Sequence, residues 1–452
     1  MSQPLPAFPE GFTWGVSTSA YQIEGAVTEG GRGPSIWDKF CREPGRVQRG
    51  ETGDVAADHY HRYAEDVGLM ADLGIGAYRF SIAWPRIQPT GTGPANPAGL
   101  AFYDRLVDAL LEQGIDPIAT LFHWDMPQPL DDAGGWANRD TAARFGEYAD
   151  LVAARLGDRV KLWITLNEPV MHTYLGHMDG SHAPGRTGLD SAFPVVHHQL
   201  LGHGLAVAAI RRHTSGAGVS IANNYTAVWA VGADGTRDSA GDEDRAAAAG
   251  YDLLHNRLFT DPLLLGSYPP GYEMLAGADV DSVVLDGDLR VISTPLDWLG
   301  VNYYNPSGIG APQPDALMPF DAPPLAGFPT TGFDWPIAPD GLREVLVGLH
   351  ERYPGKMPPI WITENGCAFP DGDGPDTDRI AYLDGHIRAV HAAMAAGVDV
   401  RGYFVWSLLD NFEWAEGYSQ RFGLVRVDFD TQRRTPRASF DWYRDLIRGG
   451  TQ

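Results

Sequence analysis

Short apolar runs recur along the chain, and each is followed by a stretch whose apolar residues return at helical spacing. The runs are rich in β-branched and aromatic residues, which is typical of buried strands. We predict eight strands, at residues 12–16, 77–82, 117–122, 162–166, 219–222, 298–302, 360–363 and 402–406. Strands that alternate with helices indicate repeated βα units and a parallel sheet.

Two of the intervening stretches show the helical pattern clearly. Within residues 102–113 and within residues 378–396, apolar side chains share one face, and Gly114 and Gly397 follow as helix stops. Eight βα units predict a closed (β/α)8 barrel, and no compositional break divides the 452 residues, so we expect a single domain spanning 1–452. An open doubly wound sheet shows the same alternation and stays open as an alternative, although no glycine-rich phosphate fingerprint opens a helix.

The stretch of residues 305–340 is rich in proline and glycine and directly follows a predicted strand. This composition predicts a long βα loop rather than a linker between domains. In a barrel, such loops shape the mouth of the active site.

The charge balance narrows the range of partners. The formal net charge is −24, from 58 acidic and 34 basic side chains. Nucleic acids and anionic membrane surfaces are bound through excess lysine and arginine, so we expect neither as a partner. Net charge otherwise serves solubility and names no substrate, and the sequence does not indicate an oligomeric state.

Cysteine use and the start of the chain indicate the compartment. Only Cys41 and Cys367 are present, too few for a disulfide framework or a cysteine-based metal site. The first residues carry neither a basic nor an apolar signal region, and no apolar run reaches about 18 residues. We therefore expect a cytoplasmic protein that needs no metal or cofactor.

Catalytic residues of a barrel lie just past the carboxyl ends of its strands. Polar and aromatic side chains dominate these positions in the sequence. They are Arg79, His123, Trp124, Asp125, Asn167, Glu168, Asn223, Asn224, Asn302, Tyr303, Tyr304, Glu364, Asn365 and Trp406.

Two of these residues are glutamates, Glu168 and Glu364. A single glutamate after a strand is ordinarily a helix cap or a surface acid. These two follow strands far apart in the chain, so they can face each other across the barrel mouth. Glycoside hydrolysis needs two opposed carboxyl groups, one protonated and one ionised. The indole, amide and imidazole groups around them suit a sugar, which offers apolar faces and hydroxyls.

Six segments carry a specific family resemblance, and they span nearly the whole chain. They are FPEGF with WG (8–12, 14–15), SAYQIEG (19–25), YRFSIAWPR (78–86), TLNEP (165–169), ITENG (362–366) and WSLLDNFEW (406–414). In residues, order and spacing they resemble the family-one glycoside hydrolases, the β-glucosidases and their relatives.

The resemblance implies a retaining β-glucosidase that acts on cellobiose-like oligosaccharides or other β-glucosides, with glucose, galactose and fucose not separated. It implies that Glu364 is the nucleophile, that Glu168 is the acid/base, and that Arg79 and Tyr304 contact the nucleophile. Without the resemblance, Arg79 would be interpreted as part of an ion pair in the core and Tyr304 as a packed tyrosine. The substrate-binding residues that it implies are Gln22, His123, Asn167, Asn302, Trp335, Trp406, Glu413 and Trp414.

Several readings compete with simple hydrolysis. Transglycosylation uses the same two glutamates, and a sugar-binding protein without activity can keep the barrel. Relatives that cleave 6-phosphoglycosides carry serine at the position of Glu413, where a carboxylate repels phosphate. Thioglucosidases lack the acid/base glutamate. Cys367, beside the ITENG segment, departs from the common pattern and raises the question of thiol reactivity near the site.

Overall fold

The computed structural model describes residues 5–188, 192–276, 280–314, 318–370 and 376–449. Eight parallel strands close into a barrel in the spatial order β1-β10-β9-β7-β5-β4-β3-β2. They are β1 (Thr13–Ser17), β2 (Ala77–Ser81), β3 (Asp116–Phe122), β4 (Leu162–Asn167), β5 (Gly218–Asn224), β7 (Leu299–Asn302), β9 (Ile360–Asn365) and β10 (Val400–Trp406). The predicted single-domain (β/α)8 barrel is confirmed, and an open sheet is excluded because β1 pairs with β10.

Helices follow the strands around the barrel. The two helices predicted from periodicity are confirmed as α5 and α16. The α-helices in the described residues are α1 (Ala20–Ile23), α2 (Ile36–Phe40), α3 (His59–Leu73), α4 (Trp84–Ile87), α5 (Pro97–Glu112), α6 (Gln128–Asp132), α7 (Asp140–Leu156), α8 (Pro169–Thr173), α9 (Ala192–His213), α10 (Asp242–Asp252), α11 (Asp261–Leu265), α12 (Glu273–Ala276), α13 (Val280–Val283), α14 (Asp288–Ile292), α15 (Pro339–Arg352), α16 (Thr377–Ala395) and α17 (Ala438–Ile447).

Among the residues that the structure describes, four short strands lie outside the barrel, and the sequence patterns did not predict them. β6 (Val228–Ala230) pairs in parallel with β8 (Ser307–Ile309), and β11 (Val425–Asp428) forms an antiparallel pair with β12 (Arg433–Pro436). The stretch 305–340, predicted as a βα loop, therefore contains a strand near its beginning, while its residues 315–317 lie outside the described residues. Two helical segments, Tyr174–Met178 and Leu253–Arg257, have π-helical hydrogen bonding.

Two close approaches set the geometry at the barrel ends. A side chain at Gly366 would place its Cβ 1.7 Å from the carbonyl oxygen of Trp406, so glycine lets the carboxyl ends of β9 and β10 meet. At the seam between the first and last barrel strands, the Tyr443 hydroxyl from α17 lies 3.0 Å from the Gly15 carbonyl oxygen and 3.3 Å from that of Tyr403. Every helix among the described residues is too short or too polar to cross a membrane.

Candidate active site

A cavity of about 330 Å³ opens where the barrel strands end, and Glu168 and Glu364 both line it. Glu168 directly follows β4, and Glu364 lies within β9. The two glutamates are far apart in the sequence but line the same cavity. The barrel therefore brings together the carboxyl pair expected from the strand ends.

Glu364 is held by two donors. The Arg79 guanidinium donates to Oε1 at 2.5 Å, and the Tyr304 hydroxyl donates to Oε2 at 2.7 Å. Burial, together with the negative charge of Glu364, raises the pKa of Tyr304 well above its usual value, so its hydroxyl keeps its proton. Each oxygen of the Glu364 carboxylate therefore has its own donor, and these two hydrogen bonds fix the orientation of the carboxylate.

Glu168 has a different environment. Its backbone is left-handed (φ 46°) at the start of α8. Its Oε1 accepts hydrogen bonds from the side-chain amides of Asn224 at 3.0 Å and Asn302 at 2.9 Å. Burial raises the pKa of Glu168 to about 8, and the negative charge of Glu364 adds to the rise. Near pH 7 Glu168 is therefore mainly neutral and able to give up a proton.

A polar network connects the partners of the two glutamates. Asn167 Oδ1 accepts hydrogen bonds from Arg79 Nη2 at 2.6 Å and from Asn302 Nδ2 at 3.0 Å. Asn167 Nδ2 lies 3.1 Å from His123 Nε2. Burial lowers the pKa of His123 well below its usual value, and the charge of Arg79 lowers it further. A neutral His123 that accepts at Nε2 carries its proton on Nδ1, which has no partner among the described residues.

A third carboxyl group, that of Glu413, also lines the cavity. Gln22 Nε2 donates to Glu413 Oε2 at 3.2 Å and to Asn411 Oδ1 at 3.0 Å. The Ser19 hydroxyl donates to Gln22 Oε1 at 2.6 Å, which fixes the orientation of the amide. Burial raises the pKa of Glu413 to about 8, and the charges of Glu364 and Glu168 contribute.

Aromatic rings form the remaining walls. Trp406 lies nearly parallel to His123, with ring centroids 5.7 Å apart, and Trp414 also lines the cavity. On another wall Trp335 stacks on Phe333 at 4.4 Å. These rings offer flat apolar faces beside the polar groups, which is the combination that sugar rings require.

The sequence-predicted site residues fall into two sets. Those in the cavity wall are His123, Glu168, Tyr304, Trp335, Glu364, Trp406, Glu413 and Trp414. Those one hydrogen bond behind the wall are Gln22, Arg79, Asn167 and Asn302. The structure thus brings all twelve together, and their roles stay predictions.

Sequence reasoning gave no role to several other wall residues. Asn224, at the end of β5, was noticed only as a polar strand end. His255 lies in a helical segment away from any strand end, so no positional rule indicated it. Further wall residues of this kind are Met171, Leu175, His182, Tyr251, Ser307, Phe333, Glu416 and Phe422.

Two histidines that do not line the cavity contact carboxylates. His59 Nδ1 lies 2.7 Å from Asp66, and His197 Nε2 lies 2.9 Å from Asp288. Across the described ranges, no group of three or more His, Cys, Asp or Glu side chains is arranged to hold a metal ion.

Cys367 does not line the cavity, and its side chain is buried. Burial raises the pKa of Cys367 to about 12 and that of Cys41 to about 11, so both thiols are almost entirely protonated at pH 7. We expect iodoacetamide at pH 7 to leave both thiols of the native protein unlabelled and to label both after denaturation. Mass spectrometry of tryptic peptides measures this, and rapid labelling of native Cys367 would show that the thiol is accessible.

Comparisons with known proteins agree with this geometry. Residues 5–451 match the sequence model of Glycosyl hydrolase family 1. Thermostable β-glucosidase B of Thermobispora bispora is 50% identical over 98% of this chain and 91% of its own length. A bifunctional β-D-glucosidase/β-D-fucosidase of Bifidobacterium breve is 46% identical over 97% of this chain and 98% of its own length.

A solved structure shows the same architecture. The family 1 β-glucosidase from Thermotoga maritima is 42% identical, covers 99% of both chains and superposes with a TM-score of 0.93. That protein has also been solved in complex with isofagomine lactam. The family model and the relatives cover nearly the whole chain, and the chain therefore belongs to glycosyl hydrolase family 1.

Proposed function

We propose that this enzyme is a retaining β-glucosidase that hydrolyses terminal non-reducing β-D-glucosyl residues, with Glu364 as nucleophile and Glu168 as acid/base. The observation that carries the proposal is the contrast between two buried carboxyls on one cavity. Glu364 faces a guanidinium and a hydroxyl donor, whereas burial and the Glu364 charge raise the pKa of Glu168 to about 8. One group is suited to attack and the other to proton donation.

In the first step, Glu364 attacks the anomeric carbon and forms a glycosyl ester. The bond from that carbon to the leaving oxygen breaks, and the Glu168 proton moves to that oxygen. Arg79 and Tyr304 keep the attacking carboxylate oriented. Charge develops on the sugar ring as an oxocarbenium-like centre, next to carboxylate oxygens that are already in place.

In the second step, water attacks the same carbon and releases Glu364, while Glu168 accepts the water proton. Esterification of Glu364 removes the negative charge that helps to raise the pKa of Glu168. The pKa of Glu168 then falls, so the residue that acted as acid can act as base. Two inversions at the anomeric carbon give a β-configured product.

We place the glucosyl ring among Gln22, His123, Asn167, Glu413 and the tryptophans at 406 and 414, with Asn167 at the 2-hydroxyl. The neutral His123 presents an Nδ1–H donor, and the Gln22–Glu413 pair offers both donor and acceptor groups. The leaving group lies toward Trp335 and Asn302. Cellobiose-like oligosaccharides and other β-glucosides are the substrate class, and the cytoplasmic location stays a prediction.

The relative from Bifidobacterium breve supports fucosides as second substrates, because it is described as both a β-D-glucosidase and a β-D-fucosidase. Fucose lacks the 6-hydroxyl and adds no charge beside Glu413. A 6-phosphate, in contrast, would bring a dianion close to that buried carboxyl.

The test is a panel of nitrophenyl glycosides with the purified protein. We expect cleavage of the β-glucoside and β-fucoside, and no cleavage of the α-glucoside or the 6-phospho-β-glucoside. Proton NMR during turnover should show the β-anomer of glucose first. No cleavage of any member, together with glucose binding, would establish a sugar-binding protein instead, and an α-anomer first would contradict retention.

A further inference from the structure

The two oxygens of Glu168 have unequal surroundings. Oε1 accepts the side-chain amides of Asn224 and Asn302. No hydrogen bond joins Oε2 to any residue that the structure describes. An oxygen that already accepts two donors is the poorer site for a proton, so the proton of the neutral acid sits on Oε2.

The orientation of the Asn302 side-chain amide is fixed by Thr363, which lies in β9 next to Glu364. The Thr363 hydroxyl donates to Asn302 Oδ1 at 2.6 Å. Asn302 Nδ2 then faces two acceptors, Asn167 Oδ1 at 3.0 Å and Glu168 Oε1 at 2.9 Å. The opposite amide orientation would place three oxygens against each other, so Oε1 of Glu168 is an acceptor at this contact.

The other donor to Glu168, Asn224, contacts His255. Asn224 Nδ2 donates to Glu168 Oε1 at 3.0 Å, and Asn224 Oδ1 lies 3.0 Å from His255 Nε2. With the amide in this orientation, Asn224 Oδ1 accepts and His255 Nε2 donates. Burial lowers the pKa of His255 to about 4, so the ring is neutral and has this single donor.

His255 is itself held rigidly. It lies in the π-helical segment Leu253–Arg257 that continues α10, and its side chain is only 5% exposed. Tyr251 stacks on its ring at 5.4 Å and 19°. π-helical turns within helices are frequent at functional sites, because they redirect side chains that a regular helix would point elsewhere.

We propose that His255 is a positioning residue for catalysis: through Asn224 it holds Oε1 of Glu168, so that Oε2 carries the proton and faces the leaving oxygen. This inference rests on the proposed function, because it assigns Glu168 the role of acid/base. His255 lines the cavity but makes no hydrogen bond to Glu168 or Glu364. Its proposed effect passes through the Asn224 amide.

The charged groups that act on Glu168 and on His255 are themselves unchanged by a substitution at His255. Those that act on Glu168 are Glu364 and Arg79, and Glu413 is coupled to it. Among the described residues, Asp252 is the charged group that acts on His255, and it accepts hydrogen bonds from Asn256 and Arg352. Replacing His255 with phenylalanine keeps an aromatic ring, adds no charge and removes the N–H donor.

The direct measurement is a titration of Glu168 by carbon-13 NMR in protein labelled at the glutamate carboxyl carbons, with the signal assigned through E168Q. An amide donor stabilises the ionised form, so H255F should raise the pKa of Glu168 by about half to one unit. H255Q, which restores an N–H donor, should return the value toward wild type. An unchanged titration in H255F would overturn the proposal.

Kinetics give a second readout. With H255F, we expect kcat/KM to fall roughly tenfold on methyl β-glucoside and to stay nearly constant on 2,4-dinitrophenyl β-glucoside, because only the first needs proton assistance. H198F is the matched control. His198 is also 5% exposed, burial also lowers its pKa to about 4, and its ring binds the Trp136 carbonyl outside the cavity. It should change neither quantity, and equal losses on both substrates in H255F would contradict positioning.

A second variant covers the case that H255F does not fold. N224A removes the same hydrogen bond to Glu168 and should raise its pKa by a similar amount. Adding H255F to N224A should change the titration no further, since both act through one contact. If the wild-type enzyme cleaves no β-glycoside, the proposed function fails, but the titration still decides whether His255 orients Glu168.

Discussion

E364G should lower the hydrolysis of β-glucosides by about five to six powers of ten, because no other carboxylate in the cavity can form the glycosyl ester. The space left by the side chain lies beside Arg79 and Tyr304, which bind the carboxylate in the native enzyme. Azide or formate should enter it and attack an activated substrate such as 2,4-dinitrophenyl β-glucoside. One inversion then gives an α-configured product, which NMR identifies.

The control for this experiment is E364Q, which keeps the side-chain volume. It should be equally inactive, but azide should not restore it because the space is filled. An E364G protein that stays active without azide, or that yields a β-configured azide product, would exclude Glu364 as nucleophile.

E168A should separate substrates by leaving group. On methyl β-glucoside or cellobiose we expect kcat/KM to fall by about 10²–10⁴, because the leaving oxygen needs a proton. On 2,4-dinitrophenyl β-glucoside kcat/KM should change little, while kcat falls because water attack loses its base. Added azide should raise that kcat and give a β-configured product by double inversion.

The dependence of kcat/KM on pH tests the same role of Glu168 as a proton donor. A general acid works only while protonated, so kcat/KM of the wild-type enzyme should hold at neutral pH and fall as the pH rises through about 8, the pKa to which burial raises Glu168. Glu413 titrates in the same range, so the limb belongs to the coupled carboxyls. Because only a poor leaving group needs the proton, the limb should be clear for the wild-type enzyme on methyl β-glucoside and should change in E168A. An unchanged limb, or equal losses on all leaving groups, would contradict the role of Glu168 as acid.

Much of the barrel could be predicted from the sequence because buried parallel strands are short, continuous apolar runs. All eight predicted strands lie within two residues of the observed ones. That Glu168 and Glu364 share one cavity could be predicted too, since the strand ends meet at one face of a barrel and glutamates at two of them are chemically informative.

The other features of the fold and the site depend on contacts between distant residues, which leave no pattern in the local sequence. β6 and β8 have three residues each, too few for alternation to show. The hydrogen bond between His255 and Asn224 joins residues 31 positions apart. It depends on a π-helical turn, which the periodicity of the sequence does not predict. The position of Gln22 and Arg79 behind the cavity wall, rather than in it, likewise depends on packing across the whole barrel.

The pairing of the first barrel strand with the last has a consequence for the synthesis of the protein. β1 leaves the ribosome first, but its partner β10 ends only at Trp406. At about 5–20 residues per second, roughly 20 to 80 seconds separate the two. During this time the growing chain carries unpaired strand edges, which invite aggregation. The seam bond of Tyr443 forms later still. A nascent chain therefore holds both glutamates before it has a closed site, and catalytic competence is one of the last properties that it acquires.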